Sequence, residues 1–317
     1  MRQLAVLVFC AAPAVAQDIS LTPPIACTLG ETCYIQNYTD HDPGPATSDF
    51  TCGPLSYDGH DGTDFALIDL AAQENGVNVL AAAAGQVTGI RDEMPDVRQG
   101  APDAPDITNR ECGNGVVIRH ADGWETQYCH MALGSIAVQP GDQIGQGAVL
   151  GRVGLSGQTE FPHVHLTVRH NGAAVDPFDT APNQSCGTPN PTLWATPINY
   201  AAGGLLAVGF SSAVPDYDRI KAGSAAEILM TTSAGLVFWG FAFGGQAGDT
   251  FQISITGPAG EVIDQTGVMD RNQAQFFRAA GKRMPPDGWP AGDYTGTINL
   301  IRNHVVIDSL TGTITVP

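Results

Sequence analysis

The sequence predicts an all-β protein, in which a glycine-rich antiparallel β-sheet domain is followed by an immunoglobulin-like β-sandwich. Between residue 53 and about residue 180, short apolar runs alternate with Gly, Asp-Gly and Pro-Gly dipeptides. Runs bounded by such turn residues are typical of short strands. Beyond residue 200 a second series of runs follows, and about seven strands in roughly a hundred residues are typical of a β-sandwich.

Composition divides the chain into five segments. They are a signal peptide (1–16), an irregular disulfide-tethered N-terminal arm (17–52), the glycine-rich domain (53–181), a Pro-rich linker (182–200) and the β-sandwich (201–317). The arm is rich in Thr, Pro and Asp and shows little periodicity, which favours irregular structure. The linker contains four prolines, which make it semi-rigid: Pro182, Pro189, Pro191 and Pro197.

The first residues predict export. Arg2 is followed by an apolar run that ends in Ala14-Val15-Ala16, a small-x-small pattern that predicts cleavage after Ala16. This run is too short to span a bilayer, and no later segment is long and apolar enough to do so. We therefore expect a periplasmic or extracellular protein that does not insert into the membrane.

The cysteines fit an oxidising compartment. Six of them remain after the predicted cleavage: Cys27, Cys33, Cys52, Cys112, Cys129 and Cys186. They allow up to three disulfides in fifteen possible arrangements. A hairpin that turns at residues 121–123 would bring Cys112 opposite Cys129. Proximity suggests Cys27 with Cys33, and elimination then leaves Cys52 with Cys186.

The charge balance argues against two classes of partner. The chain has 32 acidic and 14 basic residues, a formal net charge of −18. A protein this acidic repels nucleic acid and anionic lipid, so we expect neither as a partner. The simplest role for this charge is solubility.

The candidate chemistry lies in three short patterns: His60 with Asp64, the lone His130, and His163-Val164-His165. Three imidazoles and a carboxylate can hold a zinc ion with one coordination position left open, as in hydrolytic zinc sites. In a strand the side chains of His163 and His165 point to the same face and that of Val164 to the other. One histidine can then bind metal while its neighbour meets the substrate.

Each pattern taken alone also has a structural explanation. Adjacent histidines can simply lie on a solvated strand face, and His60 with Asp64 can belong to an ordinary Asp-Gly loop. His130 can be a hydrogen-bonded histidine at a strand end. Alternation predicts that it shares one face with Trp124, Thr126 and Tyr128, which would then line a groove.

Taken together, the patterns resemble the lysostaphin-like (LytM-domain) zinc metallopeptidases over roughly residues 57 to 178. Their order and spacing carry the resemblance. The matching segments are Gly59–Asp64, Val79–Val87, Gly113–His120, Tyr128–His130, Val138–Asp142, Gly145–Val153, Pro162–His165 and residues 171–177.

The resemblance implies that His60, Asp64 and His165 bind Zn²⁺, with a fourth position open for water, and that His130 and His163 form the catalytic pair. It further implies a zinc metalloendopeptidase that hydrolyses peptide cross-links of peptidoglycan, with stem peptides or cross-bridges as substrate. Some proteins that resemble this family have lost the ligands and activate other wall enzymes. This chain keeps all five residues, which favours catalysis.

Two other functions remain open at this point. The chain would also fit a non-catalytic LytM-type activator or binding module for another wall hydrolase, or an exported protease that acts on Gly-rich proteins. An immunoglobulin-like fold does not fix a function, so the sandwich is open to binding a protein partner, wall or substrate, or to covering the groove mouth. The tethered arm is a candidate shield for the zinc before activation.

Overall fold

The structure, a computed structural model, describes residues 19–180, 186–187 and 191–317. The predicted signal peptide, and with it the cleavage after Ala16, lies outside these residues, as does most of the first half of the predicted linker. Within the described ranges, the helices are all too short or too polar to cross a bilayer.

The first unit is an eight-stranded antiparallel sheet. Its strands are β1 (Cys33–Asn37), β2 (Thr63–Leu67), β4 (Gly85–Arg91), β5 (Asn114–Arg119), β6 (Trp124–Met131), β7 (Gln143–Ile144), β9 (His163–His170) and β10 (Ala173–Ala174). Their order is β1-β2-β9-β6-β5-β4-β7, with β10 paired to β9. A small second sheet joins β3 (Asn78–Leu80) to β8 (Val149–Arg152).

The side chains of β9 alternate between the two faces of the sheet, as the sequence predicts. Val164, Leu166 and Val168 are fully buried in the hydrophobic core under the sheet. The side chains of His163 and His165 therefore lie on the opposite face. The segment over residues 94–109 contains neither helix nor strand.

The N-terminal arm is more regular than its composition indicates. Strand β1 lies within it and pairs antiparallel with β2, so that the arm forms one edge of the main sheet. Tyr34 and Ile35 are buried there. A five-residue strand is too short to give a periodic signal in the sequence, and its pairing with β2 decides its conformation.

All three disulfides form in the predicted pairing. Cys27 is bonded to Cys33, Cys52 to Cys186, and Cys112 to Cys129. The hairpin argument holds because β5 and β6 pair on either side of a 3-10 turn at Ala121–Gly123. The bond from Cys52 to Cys186 ties the arm to the segment between the two units.

Two segments depart from the strand that their apolar residues suggest. Strand β2 stops at Leu67, because the Asp69 carboxylate accepts a hydrogen bond from the Ala72 amide and caps helix α1 (Leu70–Asn75). The apolar run at 227–231 is irregular, and Ile228 is 88% exposed. The Glu227 carboxylate accepts from the Ser212 amide and hydroxyl, which holds this segment outside a ladder.

The second unit is a seven-stranded β-sandwich, as predicted. Its strands are β11 (Gly204–Ser211), β12 (Gly235–Gly245), β13 (Thr250–Gly257), β14 (Gly260–Val268), β15 (Gln273–Arg283), β16 (Gly292–Arg302) and β17 (Val305–Val316), with helix α2 (Tyr217–Lys221) after β11. One sheet has the order β11-β12-β15 and the other β14-β13-β16-β17. Phe238 and Phe276 of the first sheet share a core with Ile253 and Ile298 of the second.

The sandwich is docked against the first unit. Strand β12 is buried along its whole length, because its alternate side chains enter two different cores. Trp239, Phe241 and Phe243 pack into the core of the first unit rather than that of the sandwich. Leu193 and Trp194, which the sequence places in the linker, are buried in the same core. The two units therefore share a hydrophobic interface.

We expect Phe241→Ala to lower the free energy of unfolding by about 3–5 kcal/mol, since it leaves a cavity where a fully buried ring joins the two units. Denaturant unfolding followed by tryptophan fluorescence measures this loss. Val305→Ala is the control, because Val305 is 62% exposed on β17 and its truncation should change stability by less than about 0.5 kcal/mol. Equal stability of the two variants would contradict the shared interface.

Candidate metal and catalytic site

Three neighbouring strands bring the predicted site residues together. Asp64 on β2 lies directly opposite His165 on β9, and Cys129 on β6 lies opposite His165 from the other side. His130 follows Cys129, and His163 lies two residues before His165 on the same face of β9. His60 lies in the loop just before β2 and is 3% exposed.

The predicted metal ligands meet at one point. Nε2 of His60 lies 3.2 Å from Oδ1 of Asp64 and 3.1 Å from Nδ1 of His165, and the latter two atoms are 2.9 Å apart. Tetrahedral zinc with bonds of about 2.0–2.1 Å holds its donor atoms about 3.3 Å apart. Two imidazole nitrogens and one carboxylate oxygen form a donor set that zinc prefers, so the residues present fit this ion.

The second nitrogen of each ligand histidine fixes its tautomer. Nδ1 of His60 is 2.7 Å from the Tyr38 carbonyl oxygen, which only accepts hydrogen bonds, so Nδ1 carries the proton and Nε2 keeps its lone pair. Nε2 of His165 lies 2.9 Å from the Thr167 hydroxyl and 3.3 Å from an Asp61 carboxylate oxygen. This nitrogen therefore donates, and Nδ1 is free for the metal.

The arm supplies two groups that sequence reasoning missed. Asn37 pairs with Asp64 across β1 and β2, and its Nδ2 donates to Oδ2 of that carboxylate at 3.0 Å. Asn37 thus orients the carboxylate, while the Tyr38 carbonyl orients His60. Neither residue belongs to a recognisable motif, and only the pairing of β1 with β2 places them here. The arm therefore forms part of the site.

His130 reaches the site through a β-bulge, which corrects the predicted face. Trp124, Thr126 and Tyr128 are buried on the core side, where the Tyr128 hydroxyl accepts a hydrogen bond from the Ala82 amide at 2.7 Å. His130 has φ +62° and lies at a register shift between β5 and β6, so its side chain turns to the opposite face.

The main-chain hydrogen bonds around the bulge hold His130 beside His163. The His130 amide donates to the Cys112 carbonyl at 2.8 Å, next to the Cys112–Cys129 disulfide. Nδ1 of His130 donates to the Ser156 carbonyl at 2.9 Å, and Nδ1 of His163 donates to the Phe161 carbonyl at 2.8 Å. The two ring centroids are 4.6 Å apart, and each ring keeps its Nε2 lone pair.

Electrostatics keep this histidine pair neutral. Burial and the positive charges of neighbouring histidines lower the pKa of His130 well below its usual value. Burial also lowers the pKa of His163, although the Asp64 carboxylate opposes this shift. Both imidazoles are therefore unprotonated near neutral pH and able to accept a proton at Nε2.

Two of the candidate metal ligands have pKa values that are shifted in opposite directions. Burial alone would raise the pKa of Asp64, but the charges and hydrogen bonds of His60, His163 and His165 bring it well below its usual range, so Asp64 is a carboxylate. Burial would lower the pKa of His165, yet the Asp61 and Asp64 carboxylates raise it to about 9. A metal ion that binds here must displace that proton.

The middle of the chain matches a known family. Residues 58–177 match the family model described as "Peptidase family M23". The chain therefore contains a Peptidase family M23 domain, of the type that the motifs predicted. This match spans the whole set of His60, Asp64, His130, His163 and His165.

Similar proteins align with only part of this chain. A DD-carboxypeptidase/endopeptidase Mpg of Neisseria meningitidis is 42% identical over 69 residues, which is 22% of this chain and 15% of the relative. The cell division protein DipM of Caulobacter vibrioides is 32% identical over 109 residues, 33% of this chain and 15% of that protein. The chain thus spans a small part of these relatives.

Among solved structures, a putative peptidase M23 from Pseudomonas aeruginosa is similar at a TM-score of 0.31 and 27% identity, covering 52% of each chain.

Zinc binding directly tests whether His60, Asp64 and His165 form a metal site. We expect the wild-type chain to bind one equivalent of Zn²⁺ and His165→Ala to lose at least about 100-fold in affinity, because one of three donors is gone. Titration calorimetry with metal-free protein measures both. His304→Asn is the matched control, since this exposed histidine lies outside the site and Asn tolerates its φ of +67°. Equal affinities of wild type and His165→Ala would contradict the assignment.

Proposed function

We propose that this chain is an exported zinc-dependent endopeptidase that hydrolyses peptide cross-links of peptidoglycan. The observation that carries the proposal is the meeting of three ligand atoms, from His60, Asp64 and His165, beside the free Nε2 atoms of His130 and His163. The M23 match supports peptide hydrolysis, and so does the relative named as a DD-carboxypeptidase/endopeptidase. The disulfides support an oxidising compartment outside the cytoplasm.

Zinc bound by His60, Asp64 and His165 would supply Lewis acidity toward water and a peptide carbonyl. The protein's own contribution lies in the histidine pair. One imidazole takes a proton from the attacking water at Nε2 and, as an imidazolium, can donate a hydrogen bond from that nitrogen to the developing oxyanion, while the second ring stays neutral. The proton then passes to the amine nitrogen as the C–N bond breaks. Backbone carbonyls on both Nδ1 atoms keep each ring in the tautomer that this transfer needs.

The decisive test is digestion of purified peptidoglycan, with the released fragments identified by mass. We expect zinc-loaded wild type to release cross-link fragments and His130→Asn to lose about 100- to 10,000-fold in rate while it still binds zinc, because a proton-transfer group is gone. Asn is chosen because it tolerates the φ of +62° at this position. Folded, zinc-loaded wild type that releases no fragments would contradict the proposal and favour the activator.

The same enzyme reports the protonation of the histidine pair. Because the pKa of His130 and that of His163 both lie below the ordinary value of 6.5, the bases stay neutral on mild acidification. We expect kcat/KM at saturating zinc to stay level from pH 8 to about pH 6.5 and to fall only below it. Measuring kcat/KM across this pH range tests whether the pKa values of the two histidines are lowered. An acid limb centred above pH 7 would contradict the assignment.

A further inference from the structure

A groove of about 1250 Å³ opens beside the site and is lined by both units. Asp64 and His163 line it from the M23 domain, and Gln36 and Asn37 from the N-terminal arm. The sandwich contributes one wall through α2, the turn before β15 and the start of β15, chiefly Tyr217, Lys221, Arg271, Gln273 and Gln275. A substrate at the proposed zinc site would therefore contact residues from outside the M23 match.

The sandwich wall is fixed to the site. Nε2 of Gln275 donates to the Tyr34 hydroxyl at 2.6 Å and to Oε1 of Gln36 at 3.2 Å. Gln36 precedes Asn37, which holds the Asp64 carboxylate. These hydrogen bonds connect Gln275 of the sandwich to the arm, and the arm in turn is hydrogen-bonded to Asp64. The sandwich wall therefore has a defined position relative to the candidate site.

A second set of contacts fixes α2 on the same wall. Tyr217 stacks on Phe277 of β15, with ring centroids 5.6 Å apart, and also meets Phe241 edge-on. The Lys221 ammonium lies 4.8 Å from the centre of the Tyr217 ring and 3.0 Å from an Asp218 oxygen. Helix and strand thus hold a positive side chain at the groove.

The charge of this wall is unusual for so acidic a chain. The protein has 14 basic residues against 32 acidic ones, yet the sandwich places Lys221 and Arg271 on the groove. Arg271 is exposed and, within the described part of the chain, makes no hydrogen bond or ion pair. The acidic residues of the lining are Glu160 and Asp64, and a zinc ion would more than balance the latter.

We infer that the sandwich wall is a substrate subsite in which Arg271, assisted by Lys221, binds a carboxylate of the peptide. An unpaired guanidinium matches a carboxylate with two parallel hydrogen bonds, and the groove's amide side chains suit a peptide backbone. The inference rests on the proposed peptide hydrolysis and assigns the sandwich a part in specificity. Arg271 is thus a binding residue rather than a catalytic residue.

The test uses two synthetic cross-linked stem-peptide dimers that differ only in their carboxyl groups, which are free in one and all converted to carboxamides in the other. Binding to the full chain is measured by calorimetry in EDTA, and turnover is measured with zinc. We expect wild type to bind the free-carboxyl peptide about tenfold more tightly, as a charge-assisted pair allows. Arg271→Gln should abolish this preference and raise KM about tenfold, with kcat nearly unchanged.

Arg283→Gln is the matched control, because Arg283 is an exposed arginine at the far end of β15, which begins two residues after Arg271, and it lies outside the groove. It should leave both dissociation constants unchanged. The inference is overturned if Arg271→Gln keeps the wild-type preference, if it weakens both peptides equally, or if wild type binds neither peptide. Zinc-dependent turnover that is insensitive to Arg271→Gln would overturn this subsite alone, whereas preference in binding without turnover would overturn the hydrolytic proposal alone.

Discussion

The in-register pairing of β2, β9 and β6 is the constraint on which the site depends. It sets Asp64 opposite His165 and Cys129 opposite His165, so that ligands more than a hundred residues apart in the chain meet at 2.9 Å. A slip of one residue would turn His163 and His165 into the core and Val164 toward the site. The fully buried valine and leucine side chains of β9 prevent that slip, because exposing them would cost several kcal/mol.

The site adds local irregularity to this regular frame. His130 faces its partners only because one residue of β6 adopts a left-handed conformation, a strained state for a residue other than glycine. The Cys112 carbonyl, the adjacent disulfide and the Ser156 carbonyl hold that conformation from both sides. A ring in a fixed tautomer and orientation needs little reorganisation during proton transfer, which is the physical advantage of such a bulge.

The segments outside the M23 match form part of the candidate site. Asn37 of the arm orients the Asp64 carboxylate. Strand β12 is buried on both faces, which fixes the sandwich against the first unit, and the sandwich thereby forms one wall of the groove. The Arg271 side of the sandwich therefore lines the groove beside the candidate site rather than a distant surface. The arm likewise supports the site.

The sequence by itself determined the two β units, the Cys112–Cys129 disulfide and the five residues that the structure brings together, because alternation, turn residues and motif spacing are local signals. The continuous apolar run of β12 also indicates burial of both faces of this strand. Only the tertiary structure decided the bulge at His130, the strand in the arm, the role of Asn37 and the shared groove. Each depends on pairing or packing between distant segments, and such contacts leave no periodic trace in the residues that make them.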